Sequence, residues 1–176
     1  MAFVDPKGNI AQLGKIEGLQ VADFGAGTGV YTMLLAQKVG DTGRVYAIEV
    51  QKDFLSRIRD AAQDTDLTNI EVLWGDIERL GATKLSDNSI DIVVLANVFF
   101  QVDDKRETLE EVKRVLVPQG RVLFVDWKDS YGGIGPQQDM IVKPDSVRQV
   151  FDESGFSLQK SIETGDQHYG FIFMKK

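Results

Sequence analysis

Short runs of β-branched and aliphatic residues alternate along this chain with longer segments of helical periodicity, and this alternation restricts the fold more than any other feature. Successive parallel strands need a crossover connection, which is usually a helix. The pattern therefore predicts an α/β fold with a seven-stranded, mostly parallel sheet. The predicted strands cover residues 19–24, 44–50, 69–74, 90–96, 121–127, 157–162 and 168–174, and the predicted helices cover residues 30–39, 53–63, 103–116 and 144–154.

The last two predicted strands are joined by a short polar segment, Glu163-Thr-Gly-Asp-Gln167. A connection this short is typical of a hairpin, so we expect the last strand to be antiparallel. With 176 residues, of which 43% are hydrophobic, the chain is long enough for one domain with a continuous core. We expect a single domain over residues 1–176, in which residues 1–18 form a lid or a helix before the first strand.

The composition excludes several classes of function. The chain has no cysteine and one histidine, which excludes disulfides, thiol nucleophiles, thiolate metal sites and sites with several histidines, so no metal is expected. The formal net charge of −7 opposes a broad contact with a nucleic-acid backbone. The longest apolar stretch, residues 92–100, is much shorter than the ~20 residues that a membrane helix needs, and a cytoplasmic location is expected.

The strongest local signal is Asp23-Phe-Gly-Ala-Gly-Thr-Gly29, which lies where the first predicted strand turns into the first predicted helix. Glycines allow a tight turn there, and free N–H groups at the start of the helix face the ligand. The spacing does not fit the dinucleotide pattern G-x-G-x-x-G, because Val30 occupies the third glycine position. Asp23 would repel a pyrophosphate and favour a cationic ligand. A glycine turn without any ligand is the alternative interpretation.

Acidic residues also follow the next two strands. Glu49 ends the second predicted strand, where a carboxylate can accept hydrogen bonds from the hydroxyl groups of a ribose. Asp76 follows the third strand and can bind an adenine amino group, with Val50 and Ile77 on either side of the base. Taken alone, Glu49 is equally well a solvated strand end, and Asp76 a turn residue. Because the carboxyl ends of parallel strands meet at one edge of the sheet, we expect these residues to converge there.

These residues, in this order, resemble those of the class I S-adenosylmethionine-dependent methyltransferases, and the resemblance covers nearly the whole chain. It includes the glycine turn, Glu49, Gly75-Asp76, the segment 90–97 and the segment 115–123. Within the family, the chain is most similar to the small-molecule type that includes the quinone-biosynthesis enzymes. The resemblance implies a Rossmann-like three-layer sandwich in which the antiparallel last strand lies between strands five and six.

The resemblance also implies a cofactor, S-adenosylmethionine, and its product, S-adenosylhomocysteine. Each part of this cofactor would lie at a different strand end. The implied contacts are Glu49 for the ribose, Val50, Asp76 and Ile77 for the adenine, Ala96 and Asn97 for the amino-acid portion, and Asp23, Gly25, Ala26, Gly27 and Gly29 for the methionine end.

The acceptor side gives weaker signals. His168 and Tyr169 open the antiparallel last strand, so they lie at the same sheet edge as the ends of the parallel strands, near Asp126 and Trp127. Both are candidate catalytic residues, with His168 as a general base or as a group that positions the acceptor. The alternative for His168 is an ordinary histidine at the rim of the sheet.

Two segments are candidate covers for the site. Residues 3–9 precede the first strand, and the alternative for them is a frayed terminus. The loop at 129–138 contains glycines that allow movement, and Trp127 and Tyr131 would form its aromatic walls.

The function that these features predict is transfer of a methyl group from S-adenosylmethionine to a small organic acceptor by in-line displacement. An RNA or protein methyltransferase is one alternative, which the scattered basic residues disfavour. A non-catalytic S-adenosylmethionine-binding protein is a second alternative, and a nicotinamide oxidoreductase is the weakest. An arsenite-methylating enzyme is excluded because the chain has no cysteine. The expected partner is a small-molecule acceptor, and the oligomeric state stays open.

Overall fold

A computed structural model describes residues 5–130 and 135–176 of the chain. Within these ranges each predicted strand and helix is present, and one short helix precedes them. The strands are β1 (Gln20–Phe24), β2 (Arg44–Glu49), β3 (Ile70–Trp74), β4 (Ile90–Ala96), β5 (Leu116–Trp127), β6 (Phe156–Ile162) and β7 (His168–Lys175). The helices are α1 (Pro6–Ala11), α2 (Val30–Val39), α3 (Lys52–Asp64), α4 (Lys105–Val115) and α5 (Pro144–Glu153), with 3-10 turns at Phe99–Gln101 and Gln138–Met140.

The strands form one sheet in the order β3-β2-β1-β4-β5-β7-β6. The first five strands in this order, β3-β2-β1-β4-β5, pair in parallel with their neighbours. Strand β7 pairs antiparallel with both β5 and β6. The predicted fold class is therefore confirmed, including the place of the last strand between strands five and six.

The start of β5 differs from the sequence prediction. The strand begins at Leu116, directly after α4, because Leu116 pairs with Ile90 before the register shifts and Arg121 pairs with Ile92. The residues between form an irregularity in which Gln119 adopts a positive φ of 62°. Residues 117–120, which lie between the predicted helix and the predicted strand, therefore form a bulge within β5.

Helices cover both faces of the sheet and produce two apolar cores. On one face, Leu35 of α2 and Ile10 of α1 belong to the same cluster as Val21 and Val94, and α3 packs beside them. The helices α4 and α5 cover the other face. The core on that face is rich in aromatic side chains, which are Phe24, Phe99, Phe124, Phe151, Phe156, Tyr169, Phe171 and Phe173. Over the described residues, no helix has both the length and the apolar character that a membrane crossing requires.

The connections leave β1 and β4 toward opposite faces of the sheet. The chain after β1 continues into α2 on one face, whereas the chain after β4 continues into α4 on the other. Because these strands are neighbours, a crevice opens between their carboxyl ends. This is the position at which open α/β sheets bind ligands.

The short helix α1 is fixed by polar contacts to the β6–β7 hairpin. Asp5 caps its start by accepting a hydrogen bond from the Gly8 backbone N–H at 3.0 Å. At the other end, the Gln12 side chain donates to the Glu163 carbonyl at 2.8 Å and accepts from the Glu163 N–H at 3.1 Å. This paired contact places α1 beside the carboxyl edge of the sheet.

The candidate covers are described only in part. Residues 5–9 of the first cover belong to the start of α1, while residues 3 and 4 lie outside the described ranges. Tyr131, Gly132 and Gly133 of the second cover lie outside those ranges as well.

A buried ionic network holds the long connection between β3 and β4. Glu111 of α4 is fully buried and accepts two hydrogen bonds from the Arg114 guanidinium, both at 2.8 Å. It also accepts hydrogen bonds from the Gly81 N–H at 2.7 Å and from the Thr83 hydroxyl. Burial alone raises the pKa of Glu111, but these hydrogen bonds outweigh burial and lower the pKa. The network thus anchors the segment that begins with Asp76.

Replacing Glu111 with alanine is expected to lower the free energy of unfolding by about 3 kcal/mol. The buried Thr83 hydroxyl and the backbone N–H groups of Gly81 and Thr83 lose their acceptor, and the partly buried Arg114 guanidinium loses one of its two carboxylate partners. Urea denaturation followed by circular dichroism measures this change. The matched control is Glu110→Ala on the exposed side of α4, which should change stability by less than about 0.5 kcal/mol. Equal effects of the two substitutions would contradict the anchoring role.

Candidate active site

A cleft of about 690 Å³ opens at the carboxyl edge of β1, β2, β3 and β4. Its volume lies within the range of ~300–1000 Å³ that is typical of small-molecule sites. The predicted residues that line it are Gly25, Ala26, Gly27, Glu49, Val50, Asp76, Ile77, Ala96 and Asn97. The structure therefore brings most of the predicted cofactor residues together in one cleft.

The glycine turn has a backbone that other residues adopt with strain. Gly25, Gly27 and Gly29 have φ values of 73°, 51° and 81°. A Cβ atom on Gly25 would lie 2.5 Å from the Val98 side chain, and one on Gly29 would lie 2.8 Å from Ile58. For a Cβ atom on Gly27, the nearest atom of the described residues, apart from its chain neighbours, would be the Gly25 carbonyl oxygen at 4.0 Å. The outer glycines thus allow close packing within the protein, while the middle one leaves open space beside the cleft.

Asp23 lies behind this turn and does not line the cleft. It is 2% exposed, and its carboxylate accepts a hydrogen bond from the Thr32 hydroxyl at 2.6 Å. Burial raises the pKa of Asp23 to about 6, and the hydrogen bonds from the hydroxyl and backbone N–H of Thr32 partly offset this effect. Because the N-cap residue Gly29 has no side chain, Asp23 supplies the acceptor that the start of α2 needs.

Glu49 is buried and links the glycine turn to the start of α3 through hydrogen bonds. Its carboxylate accepts hydrogen bonds from the backbone N–H groups of Gly27 at 2.9 Å, Val50 at 2.8 Å and Gln51 at 2.9 Å. The residue is 6% exposed, so it is not a solvated strand end. A carboxylate has about four lone-pair positions, and three donors leave room for a ligand hydroxyl.

Asp76 and Ile77 form the wall of the cleft at the β3 end. Asp76 accepts a hydrogen bond from the Glu78 N–H at 2.9 Å and lies 3.3 Å from the Arg79 guanidinium, while a third of its side chain stays exposed. Ile77 is buried, and Val50 is 48% exposed on the rim. One carboxylate and two apolar side chains therefore meet at this end of the cleft.

Asn97 occupies a strained position at the end of β4. Its φ of 55° is positive, and its backbone N–H donates to the Val125 carbonyl at 2.9 Å. Among the described residues, its buried side-chain oxygen has no hydrogen-bond partner. A positive φ together with an unpartnered polar atom is typical of a functional position.

Sequence reasoning missed the importance of Asp126, at the end of β5. Its carboxylate accepts hydrogen bonds from the Phe100 N–H at 2.9 Å and from the Trp127 N–H at 2.8 Å, and the residue is 1% exposed. Burial raises the pKa of Asp126 to about 7, although both hydrogen bonds lower it. Asp126 thereby holds the 3-10 turn that follows Asn97. The sequence signal that could have indicated this role is the position of an acidic residue at the end of an apolar strand.

His168 and Tyr169 lie beside Trp127 and Asp126, as expected, but on opposite faces of the sheet. His168 is 5% exposed, its ring centroid lies 4.3 Å from that of Trp127, and burial lowers its pKa to about 4. Neither imidazole nitrogen has a hydrogen-bond partner among the described residues. The Tyr169 hydroxyl donates to the Val142 carbonyl at 2.7 Å, and burial raises its pKa. The described residues that line the cleft include neither side chain.

The polar groups of the cleft are of a few chemical kinds. Across residues 5–130 and 135–176, no group of histidine, aspartate and glutamate side chains is arranged to hold a metal ion. The polar groups around the cleft are carboxylates, a carboxamide and backbone N–H groups, which suit a nucleoside with a polar extension.

A family model described as a methyltransferase domain matches residues 15–162 of the chain. An arsenite methyltransferase from Halobacterium salinarum is 31% identical over 109 residues, which are 62% of this chain and 27% of that protein. A demethylmenaquinone methyltransferase from Listeria monocytogenes is 29% identical over 110 residues, which are 62% of this chain and 45% of that protein. The chain thus spans less than half the length of these curated relatives.

Solved structures agree with this match. A SAM-dependent methyltransferase from Aquifex aeolicus superposes with a TM-score of 0.90 and 29% identity, over 99% of this chain and 91% of that chain. An arsenic(III) S-adenosylmethionine methyltransferase from Chlamydomonas reinhardtii has a TM-score of 0.74 at 24% identity, over 92% and 65% of the two chains. The second likeness concerns the fold alone.

The raised pKa of Asp126 gives a testable pH dependence. A carboxyl group whose pKa is higher in the folded state than in the unfolded state favours folding at low pH, and this contribution is lost as the pH rises through about 7. Between pH 4 and pH 8, the wild type should therefore lose about 3 kcal/mol more unfolding free energy than Asp126→Asn. Urea denaturation at several pH values measures both slopes. Asp60→Asn, on the exposed face of α3, is the control and should keep the wild-type slope.

Proposed function

The chain belongs to the class I S-adenosylmethionine-dependent methyltransferases, and from that premise we propose that it transfers a methyl group to a small organic acceptor. The observation that carries the proposal is the convergence of the glycine turn, Glu49 and Asp76 on one cleft. Their order across β1, β2 and β3 matches the order of the sulfonium, ribose and adenine parts of the cofactor.

The residues of the cleft fit this cofactor. The space beside Gly27 admits a ligand against the backbone, and Glu49 retains capacity to accept a hydrogen bond from a ribose hydroxyl. Asp76 is the acceptor for an adenine amino group, and Ile77 and Val50 are the apolar contacts for the base. The unpartnered oxygen of Asn97 suits a donor on the amino-acid portion.

The charges around the cleft favour a cation over a dinucleotide. Glu49 and Asp76 line it, and Asp23 lies just behind the turn. Carboxylates at these positions attract a positively charged ligand and repel a pyrophosphate. When bound, S-adenosylmethionine supplies a methyl group on a positively charged sulfur that departs as a neutral thioether. The protein residues then have one main task, which is to hold the two reactants in line.

The acceptor is proposed to be a small organic molecule. The relatives named for demethylmenaquinone and for arsenite both act on small molecules. This chain has no cysteine to bind arsenite through a thiolate, so an organic acceptor is favoured here. Its acidic net charge of −7 also disfavours RNA.

For His168 we propose that the neutral imidazole orients the acceptor. With a pKa of about 4, it takes up a proton weakly at neutral pH, so a positioning role suits it better than that of a general base. For Tyr169 we propose a packing role, because its hydroxyl already donates to Val142.

Calorimetric titration with S-adenosylhomocysteine tests the proposed cofactor site. The wild type should bind it, and Glu49→Ala should bind it at least about tenfold more weakly, since the substitution removes a ribose contact and the anchor of the turn. Glu71→Ala, on the exposed side of β3, is the control and should bind as the wild type does. Stabilisation by NADH but not by S-adenosylmethionine would contradict the proposal. Tight binding without transfer to any acceptor in a broad panel would indicate a non-catalytic binding protein.

The role of His168 is tested by the same titration together with methyl transfer from labelled S-adenosylmethionine to an acceptor panel. His168→Ala should keep the affinity for S-adenosylhomocysteine within about twofold and reduce turnover at least about tenfold. Gln159→Ala on the exposed side of β6 should change neither quantity. Unchanged turnover of His168→Ala would make this residue an ordinary rim histidine.

A further inference from the structure

Tyr31 has a polar group that takes no part in the cofactor contacts proposed so far. Tyr31, the second residue of α2, lines the cleft although only 8% of it is exposed. It belongs to the apolar cluster of α1 and α2, against which Ala96 also packs. Its hydroxyl is therefore a polar atom at the boundary between a core and a ligand site.

The Tyr31 hydroxyl is oriented by a buried amide. The Asn9 side-chain N–H of α1 donates to the Tyr31 oxygen at 2.8 Å, and Asn9 itself is fully buried. Because this hydrogen bond uses the oxygen as an acceptor, the hydroxyl proton is directed elsewhere. In the described part of the chain, no acceptor receives that proton, and the Asn9 oxygen also has no partner. Of these two polar groups, only the Tyr31 hydroxyl belongs to a residue that lines the cleft, so its proton is the one left for a ligand to accept.

The strand order places Tyr31 at one end of the cleft. Glu49 follows β2 and Asp76 follows β3, so the ribose and adenine contacts lie on the β2–β3 side. Tyr31 follows β1, on the opposite side, and belongs to the apolar cluster against which Ala96 at the end of β4 packs. A nucleoside bound by Glu49 and Asp76 would therefore direct its 5′ extension toward Tyr31.

We propose that the Tyr31 hydroxyl, oriented by Asn9, donates a hydrogen bond to the carboxylate of the amino-acid portion of the cofactor. This proposal rests on the proposed function, because it assigns a residue to the same cofactor. Tyr31 is the hydrogen-bond donor, and Asn9 is a positioning residue that acts through it.

The surroundings of Tyr31 suit a zwitterion rather than a simple anion. The first N–H groups of α2 carry partial positive charge and favour a carboxylate. Asp5 and Asp23 are close enough to raise the pKa of Tyr31, although burial is the larger cause, and the pKa is about 12. The hydroxyl therefore stays protonated at neutral pH and can donate. The same two carboxylates favour an ammonium group, which is the other charged end of an amino acid.

The position of Asn9 is fixed before any ligand binds. The paired contact between Gln12 and Glu163 holds the end of α1, and Lys160 donates to the Gln12 carbonyl at 2.8 Å. Arg121 of β5 donates to the Leu13 carbonyl just beyond the helix at 2.7 Å. Pre-organised donors cost a ligand little ordering entropy.

The test compares two thioethers of adenosine by calorimetry. S-adenosylhomocysteine has the amino-acid portion, whereas 5′-methylthioadenosine lacks it. Tyr31→Phe should bind S-adenosylhomocysteine about tenfold more weakly and 5′-methylthioadenosine within about twofold of the wild type. Asn9→Ala should weaken S-adenosylhomocysteine by a smaller factor of about three and also leave the shorter ligand unaffected. Circular dichroism establishes that both variants are folded.

The control is Tyr46→Phe, which removes a hydroxyl that hydrogen-bonds Gln20 near the amino ends of β1 and β2. It should bind both ligands as the wild type does. Equal weakening of the two ligands by Tyr31→Phe would show a packing defect and overturn the proposal, and so would unchanged binding of both. Failure of the wild type to bind either thioether would instead overturn the proposed function.

Discussion

The hydrogen bonds that the Glu49 carboxylate accepts are the interactions on which the shape of the cleft depends. This carboxylate accepts hydrogen bonds from Gly27 in the turn after β1 and from Val50 and Gln51 at the start of α3. The turn contains three glycines at positive φ, and because glycine is conformationally free, its backbone preferences do not by themselves select this shape. One buried group therefore fixes the glycine turn relative to the neighbouring strand and helix, and this relation defines the open space between them.

Other buried carboxylates hold the site in the same manner. Asp23 satisfies the start of α2, and Asp126 satisfies the 3-10 turn after Asn97. Burial raises the pKa of both groups, which means that their ionised forms cost folding free energy. Apolar packing alone cannot fix these segments, because a loop beside an open cleft leaves backbone N–H groups that need acceptors. These buried carboxylates thus lower the folding stability, but they fix the backbone that surrounds the ligand site.

Most of the fold could be predicted from the sequence because the local hydrophobic patterns agree with the strands and helices that the sheet contains. Hydrophobic periodicity located β1 to β7 and α2 to α5, and the rule for parallel strand ends placed Glu49 and Asp76 at one edge. The six-residue helix α1 has too short a pattern to be located in this way. The early start of β5 depends on the pairing of Leu116 with Ile90, which no local signal encodes. The roles of Asp126 and Tyr31 depend on neighbours that are distant along the chain, so residue types alone did not reveal them.

The negative charges around the cleft affect the affinity for a cationic ligand, but they do not accelerate the transfer step. In the proposed methyl transfer, fixed carboxylates hold the cationic cofactor more strongly than the neutral product that remains after the methyl group has left. This difference assists release of the product, but interactions that are stronger in the reactant state do not lower the barrier. The acceleration must then come from alignment of the two reactants, which needs rigid neutral groups at the transfer end. Tyr31 and Asn97 are neutral polar residues that line the cleft, and His168 lies at the same edge of the sheet. The Asn97 oxygen and both His168 nitrogens have no hydrogen-bond partner among the described residues.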